Sequence, residues 1–121
     1  MLLIDAANVV GSRPDGWWRD RAGAAGRLVG RVRRAAAAGD LPSPVVVVLE
    51  GAARAGAAEG TDDRVEVVHA KGSGDDTLAA IAAAATELVV LVSADRGLGN
   101  RVRAAGAEIV GPTWLLDRLG D

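Results

Sequence analysis

The sequence predicts an α/β fold: a single-domain three-layer α/β/α sandwich with a mainly parallel, five-stranded sheet. Three observations carry the architecture. Short runs rich in valine, leucine and isoleucine recur along the chain, segments with helical spacing separate them, and acidic residues gather where the runs end. A length of 121 residues leaves room for one core, so residues 1–121 are expected to form one domain.

The first run, residues 2–4, is apolar and closed by Asp5, as expected of a buried strand. After the turn-like SRPDG, the residues Trp18, Ala22, Ala25, Val29, Val32 and Ala36 step by four and three along one helix face. Asp15 is the expected cap of that helix, and Gly39 with Pro42 its stop. Residues 45–49 are four valines and a leucine, a run that suits an interior parallel strand, and Glu50 follows it. The glycine- and alanine-rich stretch 51–64 reads as a mobile loop with room for one helical turn, and Asp62 and Asp63 read as turn residues. A short strand is expected over 65–68, after which KGSGDDTLAA leads into a helix running to about residue 85. Residues 88–92 give a fourth strand, closed by Ser93, Ala94 and Asp95. A helix carrying Leu98, Val102 and Ala105 ends at Gly106, residues 108–110 form the last strand, and GPTWLLDRL a short final helix.

Composition narrows the function classes. The absence of cysteine excludes disulfides, zinc–thiolate sites and a thiol nucleophile. The opening MLLIDAANVV has no basic segment and meets Asp5 early, so the expectation is a cytoplasmic protein with neither signal peptide nor membrane anchor. A formal net charge of −2 gives no global signature of nucleic-acid binding, although thirteen of the fourteen basic residues are arginines. Arg27, Arg31 and Arg34 recur at helical spacing, a stripe that reads first as a solvated helix face and second as a local basic surface.

The placement of the acids carries more information than their number. In an open parallel sheet, ligands gather beyond the C-terminal ends of the strands, near the switch in strand order. Asp5 follows the first expected strand, Glu50 the second and Asp95 the fourth, while Asp75 and Asp76 open the helix after the third. Several carboxylates in one place raise each other's pKa values unless a cation stands between them. With no cysteine and one histidine, an oxygen-only donor set favours Mg²⁺ or Mn²⁺ over zinc. Such an ion can bind a phosphodiester oxygen, polarise the phosphorus and generate hydroxide from water, so metal-assisted hydrolysis of a phosphate ester is the natural reaction class.

Each residue also has a structural reading. Asp75 and Asp76 lie in a first helical turn, where negative charge is worth about 0.3–1 kcal/mol, and Ser73 with Asp76 approximates a capping box. Asp95 can be an N-cap. Asp5 is harder to explain structurally, because a carboxylate at the end of a buried strand needs a cation or several donors. His69 reads as a neutral, hydrogen-bonded strand-end residue and Lys71 as a solvated charge. Of Trp17, Trp18 and Trp114, all candidates for packing, Trp17 is the best stacking platform, since Trp18 falls on the expected apolar helix face. The glycines around Lys71 do not make a phosphate loop, because that motif needs its lysine after the glycines.

The segments LLIDAANVVG, VVLEG, VVHAKGSGDDTLAA and LVVLVSADRGLGNRVRAAGAEIVGP, in that order, resemble the YacP-type NYN domains, a branch of the PIN-like ribonucleases. The resemblance implies a PIN-like fold and a Mg²⁺- or Mn²⁺-dependent cut in RNA that leaves a 5′-phosphate and a 3′-hydroxyl. It implies Asp5, Asp76 and Asp95 as the acidic centre, with Glu50 where the family commonly has aspartate; Asp75, beside Asp76, is added as a further metal ligand from the acidic pattern alone, its role against that of Asp76 left open. Asn8 would orient an acid or a water, Ser93 would hold the Asp95 loop, and Arg96 would meet a substrate phosphate or a carboxylate; Lys71, by its place ahead of the acidic pair, would at most assist in binding phosphate. The chain departs from the pattern at Ala6 and Ala7, where the family often has Gly-Tyr, and Trp17 or Trp18 would have to supply any stacking surface.

A metal-dependent endoribonuclease is therefore the leading expectation, with RNA as partner and no membrane. Two alternatives stay open at this level: a catalytically degenerate PIN-like module that binds RNA or protein, and a metal-dependent nucleotide phosphohydrolase. Protein partners and homodimerisation are left open as well.

Overall fold

The computed structural model describes residues 1–62 and 64–120. Six strands, β1 (Leu2–Asp5), β2 (Val45–Leu49), β3 (Gly60–Asp62), β4 (Val65–His69), β5 (Val90–Val92) and β6 (Glu108–Val110), make one sheet in the order β3-β4-β2-β1-β5-β6. Every neighbouring pair is parallel except β3 with β4. The chain thus builds outward from β1 through β2 to β4, then returns to the other side of β1 with β5 and β6. The switch in strand order falls between β1 and β5, so ligands are expected at their C-terminal ends.

Period-2 alternation divides the central strands between two cores. Leu2, Ile4, Val45, Val47 and Leu49 face one side, where Val9 of α1 (Ala6–Gly11), Leu28, Val29 and Val32 of α2 (Arg21–Ala37) and Leu115 of α5 (Pro112–Arg118) cover them. Leu3, Val46, Val48 and Leu91 face the other side, against Leu78 of α3 (Gly74–Ala84) and Leu98 and Val102 of α4 (Arg96–Ala104). Strands buried on both faces are what an unbroken run such as VVVVL provides. The three-layer α/β/α sandwich is present, and its five parallel strands are the five expected.

The structure departs from expectation in several places, beginning with the short helix α1 directly after β1, which the sequence pattern did not predict. β3 is a sixth strand, pairing Asp62 with Val65 rather than leaving it in a turn; Asp63 lies outside the described residues. The stretch after Glu50 carries the helical turn for which the sequence left room, as a 3₁₀ turn, Gly51–Gly56, but packs it backbone to backbone on α2 instead of leaving it as a free loop. A Cβ on Gly26 would stand 2.9 Å from the Gly56 carbonyl oxygen, and one on Gly56 would collide with the Ala22 carbonyl. The helix expected from Trp18 onward starts later, because Gly16 at φ 84° turns the chain, Trp17–Arg19 form a 3₁₀ turn and Asp20 restarts it as N-cap, accepting from the Gly23 amide at 2.8 Å. Trp18 is therefore half exposed and off the helix face. Finally, β5 begins at Val90, leaving Leu88 exposed. Among the described residues, no helix is long and apolar enough to cross a membrane.

Candidate active site

The C-terminal rim of the sheet is organised by Asp5. It ends β1 and caps α1, so its carboxylate is 6% exposed yet aimed at the switch point. Oδ1 accepts the Asn8 amide at 3.3 Å and Oδ2 accepts the Ser93 hydroxyl at 2.9 Å. The Ser93 oxygen in turn accepts the Asp95 amide at 3.1 Å, while Asn8 Oδ1 accepts the Ala94 amide at 2.8 Å. Two of these four bonds, Ser93 to Asp5 and Ala94 to Asn8, lace the end of β1 to the turn after β5, the two strands that flank the switch, and the other two brace each side locally. Asp95 then caps α4, with Oδ1 accepting the Leu98 amide at 3.0 Å.

Glu50 reaches the same rim from β2 and performs an unexpected task. Ser73 precedes α3 but makes no side-chain cap, and instead Glu50 Oε2 accepts the Gly74 amide at 2.9 Å, so an acid from another element caps this helix. The contact requires glycine, since a Cβ at position 74 would stand 2.9 Å from the Glu50 carboxyl carbon. Docking α3 in this way turns Asp75 inward and Asp76 outward. Asp76 is exposed, pairs with Arg101 at 3.0 Å and lines a cavity of about 610 Å³ on the α3 side of the sheet, with Lys71, Ser73 and Val46.

The electrostatics separate the two aspartates. Burial pushes the Asp5 carboxyl above the ordinary value; the Ser93 and Asn8 hydrogen bonds oppose this, and repulsion from Asp75 and Glu50 adds to it. Asp75 is likewise raised, first by burial, then by repulsion from Asp95 and Glu50, with Arg101 opposing and Asp76 adding. Asp75 is thus the residue whose charge is felt by Asp5 and which feels Glu50 and Asp95. The structure brings Asp5, Glu50, Asp75 and Asp95 into one electrostatic group, held by Asn8 and Ser93, and sets Asp76 at its margin. Among the described residues, no three of the acidic or histidine side chains stand close enough to ligate one ion directly.

The remaining candidates are dispersed. Arg96 is exposed at the start of α4 and makes no ion pair among the described residues. His69 lies away from the group, with Nε2 2.7 Å from the Ala57 carbonyl oxygen and Glu59 3.9 Å from Nδ1. Trp17 is half-buried beside Glu50 in a second cavity, and Arg21, which the sequence did not single out, lies over its ring at 4.8 Å. The signal for Arg21 was local but hidden: only once Asp20 is known as the cap does position 21 become the first residue of α2.

Sheet order, layers and an acidic rim at the switch define the class: this is an α/β domain with a PIN-like fold. The chain is similar to the crystal structure of a mutant of Rae1 (YacP) from Bacillus subtilis, with a TM-score of 0.72 and 21% identity over 98% of this chain and 74% of that one. No protein-family profile matches the chain, and no curated protein matches it by sequence.

Proposed function

We propose that this protein is a metal-dependent endoribonuclease that hydrolyses RNA phosphodiester bonds at the Asp5–Glu50–Asp75–Asp95 rim. The observation that carries the reading is the gathering of these carboxylates at the switch point, where burial first and repulsion from neighbouring acids second raise Asp5 and Asp75. The shared fold with a YacP protein supports it.

The donor set suits a magnesium-class ion: every available group is an oxygen, and such ions keep several waters while using one or two carboxylates. That mode of binding is compatible with a rim on which no three side chains converge. Asp5 and Asp75 are the residues that would hold the ion, with Asp95 and Glu50 beside them. Bound there, Mg²⁺ or Mn²⁺ supplies Lewis-acid stabilisation of the phosphoryl oxygens and lowers the pKa of water. Asp5 enters with its orientation set by Ser93 and Asn8, so little rotamer freedom is lost on binding. Glu50 keeps α3 docked, which holds Asp75 inward. Arg96 and Lys71 are exposed cations at the rim, suited to RNA phosphates on either side of the bond being cut.

The test is cleavage of end-labelled single-stranded RNA with Mn²⁺ or Mg²⁺, together with calorimetric titration of Mn²⁺. Cleavage that EDTA stops and that Asp5→Asn and Asp95→Asn abolish is expected. Mn²⁺ binding without cleavage would favour a nucleotide phosphohydrolase, assayed in parallel on nucleoside triphosphates; no binding at millimolar Mn²⁺ would favour a non-enzymatic module.

A further inference from the structure

We infer that the cavity beside Glu50 receives one unstacked nucleobase of the RNA strand, against a wall formed by Trp17 and Arg21. The inference rests on the ribonuclease reading and adds a subsite to it. The cavity measures about 380 Å³, within the range of small-molecule sites, and lies on the α1 and α2 side of the sheet, on the opposite face from Asp76. Ala6 and Ala7 of α1 and Ala53 of the 3₁₀ turn line it with short side chains, leaving room for a flat ring. Its polar groups are few: the Arg21 guanidinium, a donor, and the Glu50 carboxylate, an acceptor.

The wall is held in place before any ligand arrives. Trp17 meets Trp18 edge to face, with ring centroids 5.9 Å apart and planes at 86°, and the Arg21 guanidinium covers its ring at 4.8 Å. Aromatic and guanidinium planes of this kind are the surfaces on which unpaired bases stack. The lining also selects the chemistry. A lone phosphate would meet the Glu50 charge and apolar walls, and an aliphatic ligand would leave both charges without a partner. A nucleobase presents a π face to Trp17 and Arg21, and ring N–H or amino donors to Glu50.

Glu50 belongs to both the cavity and the acidic rim, so an occupying base and the bond being cut lie on adjacent stretches of one strand. A base in a duplex is paired and stacked and cannot enter, so the subsite makes the enzyme selective for single strands.

The test is binding of fluorescent single-stranded RNA oligonucleotides to the full chain in EDTA, which prevents metal-dependent cleavage. One abasic nucleotide is walked through the oligonucleotide. One position is expected at which loss of the base weakens binding by about five- to a hundred-fold. Trp17→Ala should weaken the intact oligonucleotide by the same factor and flatten the walk. Ala7→Leu, at an exposed helical position, narrows the cavity without removing a packed side chain and should flatten the walk as well, which separates loss of the site from loss of the fold. A walk with no sensitive position, an unchanged walk in both variants, or no binding at millimolar protein would overturn the inference. A sensitive position in a protein that fails to cut RNA with Mn²⁺ would support the base site while ending the ribonuclease reading.

Discussion

Replacing Gly74 with alanine tests the joint that orients the acidic rim. In an ordinary helix this substitution gains about 0.5–1 kcal/mol, because glycine loses more backbone freedom on folding. Here the new Cβ would lie 2.9 Å from both Cδ and Oε1 of Glu50, so the Glu50 side chain must swing away and give up its 2.9 Å bond from the Gly74 amide. A hydrogen bond to a charged group contributes about 1.5–3 kcal/mol. The balance is a net loss of about 1–2 kcal/mol, or roughly 3–8 °C in Tm for a domain of this size. Urea unfolding followed by circular dichroism measures it, in the wild-type background and in Glu50→Ala. In the second background the obstruction is gone, so Gly74→Ala should become stabilising by about 0.5–1 kcal/mol. The same sign in both backgrounds would refute the reasoning, since Glu50 would then not be what demands glycine.

Other outcomes follow from the same geometry. Asp5 and Asp75 bind their protons more tightly in the folded chain than in the unfolded one, where the ordinary value is 3.8. Their contribution to stability is therefore greatest below that value and is lost as pH rises through the raised folded values. Without metal, Asp5→Asn should gain on the wild type in thermal stability as pH increases from 3 to 7, and a gap that shrinks over that range would contradict the assignment. Ser93→Ala removes a donor to Asp5 and the acceptor of the Asp95 amide at a site 2% exposed, and should cost about 2–3 kcal/mol in urea titrations while pushing the Asp5 carboxyl further up by carbon-detected NMR.

Much of the architecture was legible because it depends on periodicity. The parallel strands are continuous apolar runs, and α2 and α4 carry their buried residues at helical spacing, so sheet, layers and rim could be read from one sequence. What escaped depends on contacts distant in sequence. Gly51–Gly56 reads as a loop by composition, but its glycines serve close approach to α2, which no local pattern reveals. α1, with six residues, is too short to display a period and is set by the Asp5 cap. Asp75 and Asp76 are neighbours of identical type; which one faces inward is decided by Glu50 docking on the Gly74 amide, twenty-four residues away. Trp18 was drawn onto the helix face by spacing alone, whereas Gly16 and Asp20 break the period ahead of it.

The most direct measurement of the central claim compares the two neighbouring aspartates. Single-turnover cleavage of a labelled single-stranded RNA in Mn²⁺ should proceed in the wild type, fall at least a hundred-fold in Asp75→Asn and persist within about threefold in Asp76→Asn, whose exposed pair with Arg101 contributes at most about 1 kcal/mol. Equal loss in both variants, undiminished cleavage in Asp75→Asn, or no cleavage by the wild type would contradict an active centre built from Asp5, Glu50, Asp75 and Asp95.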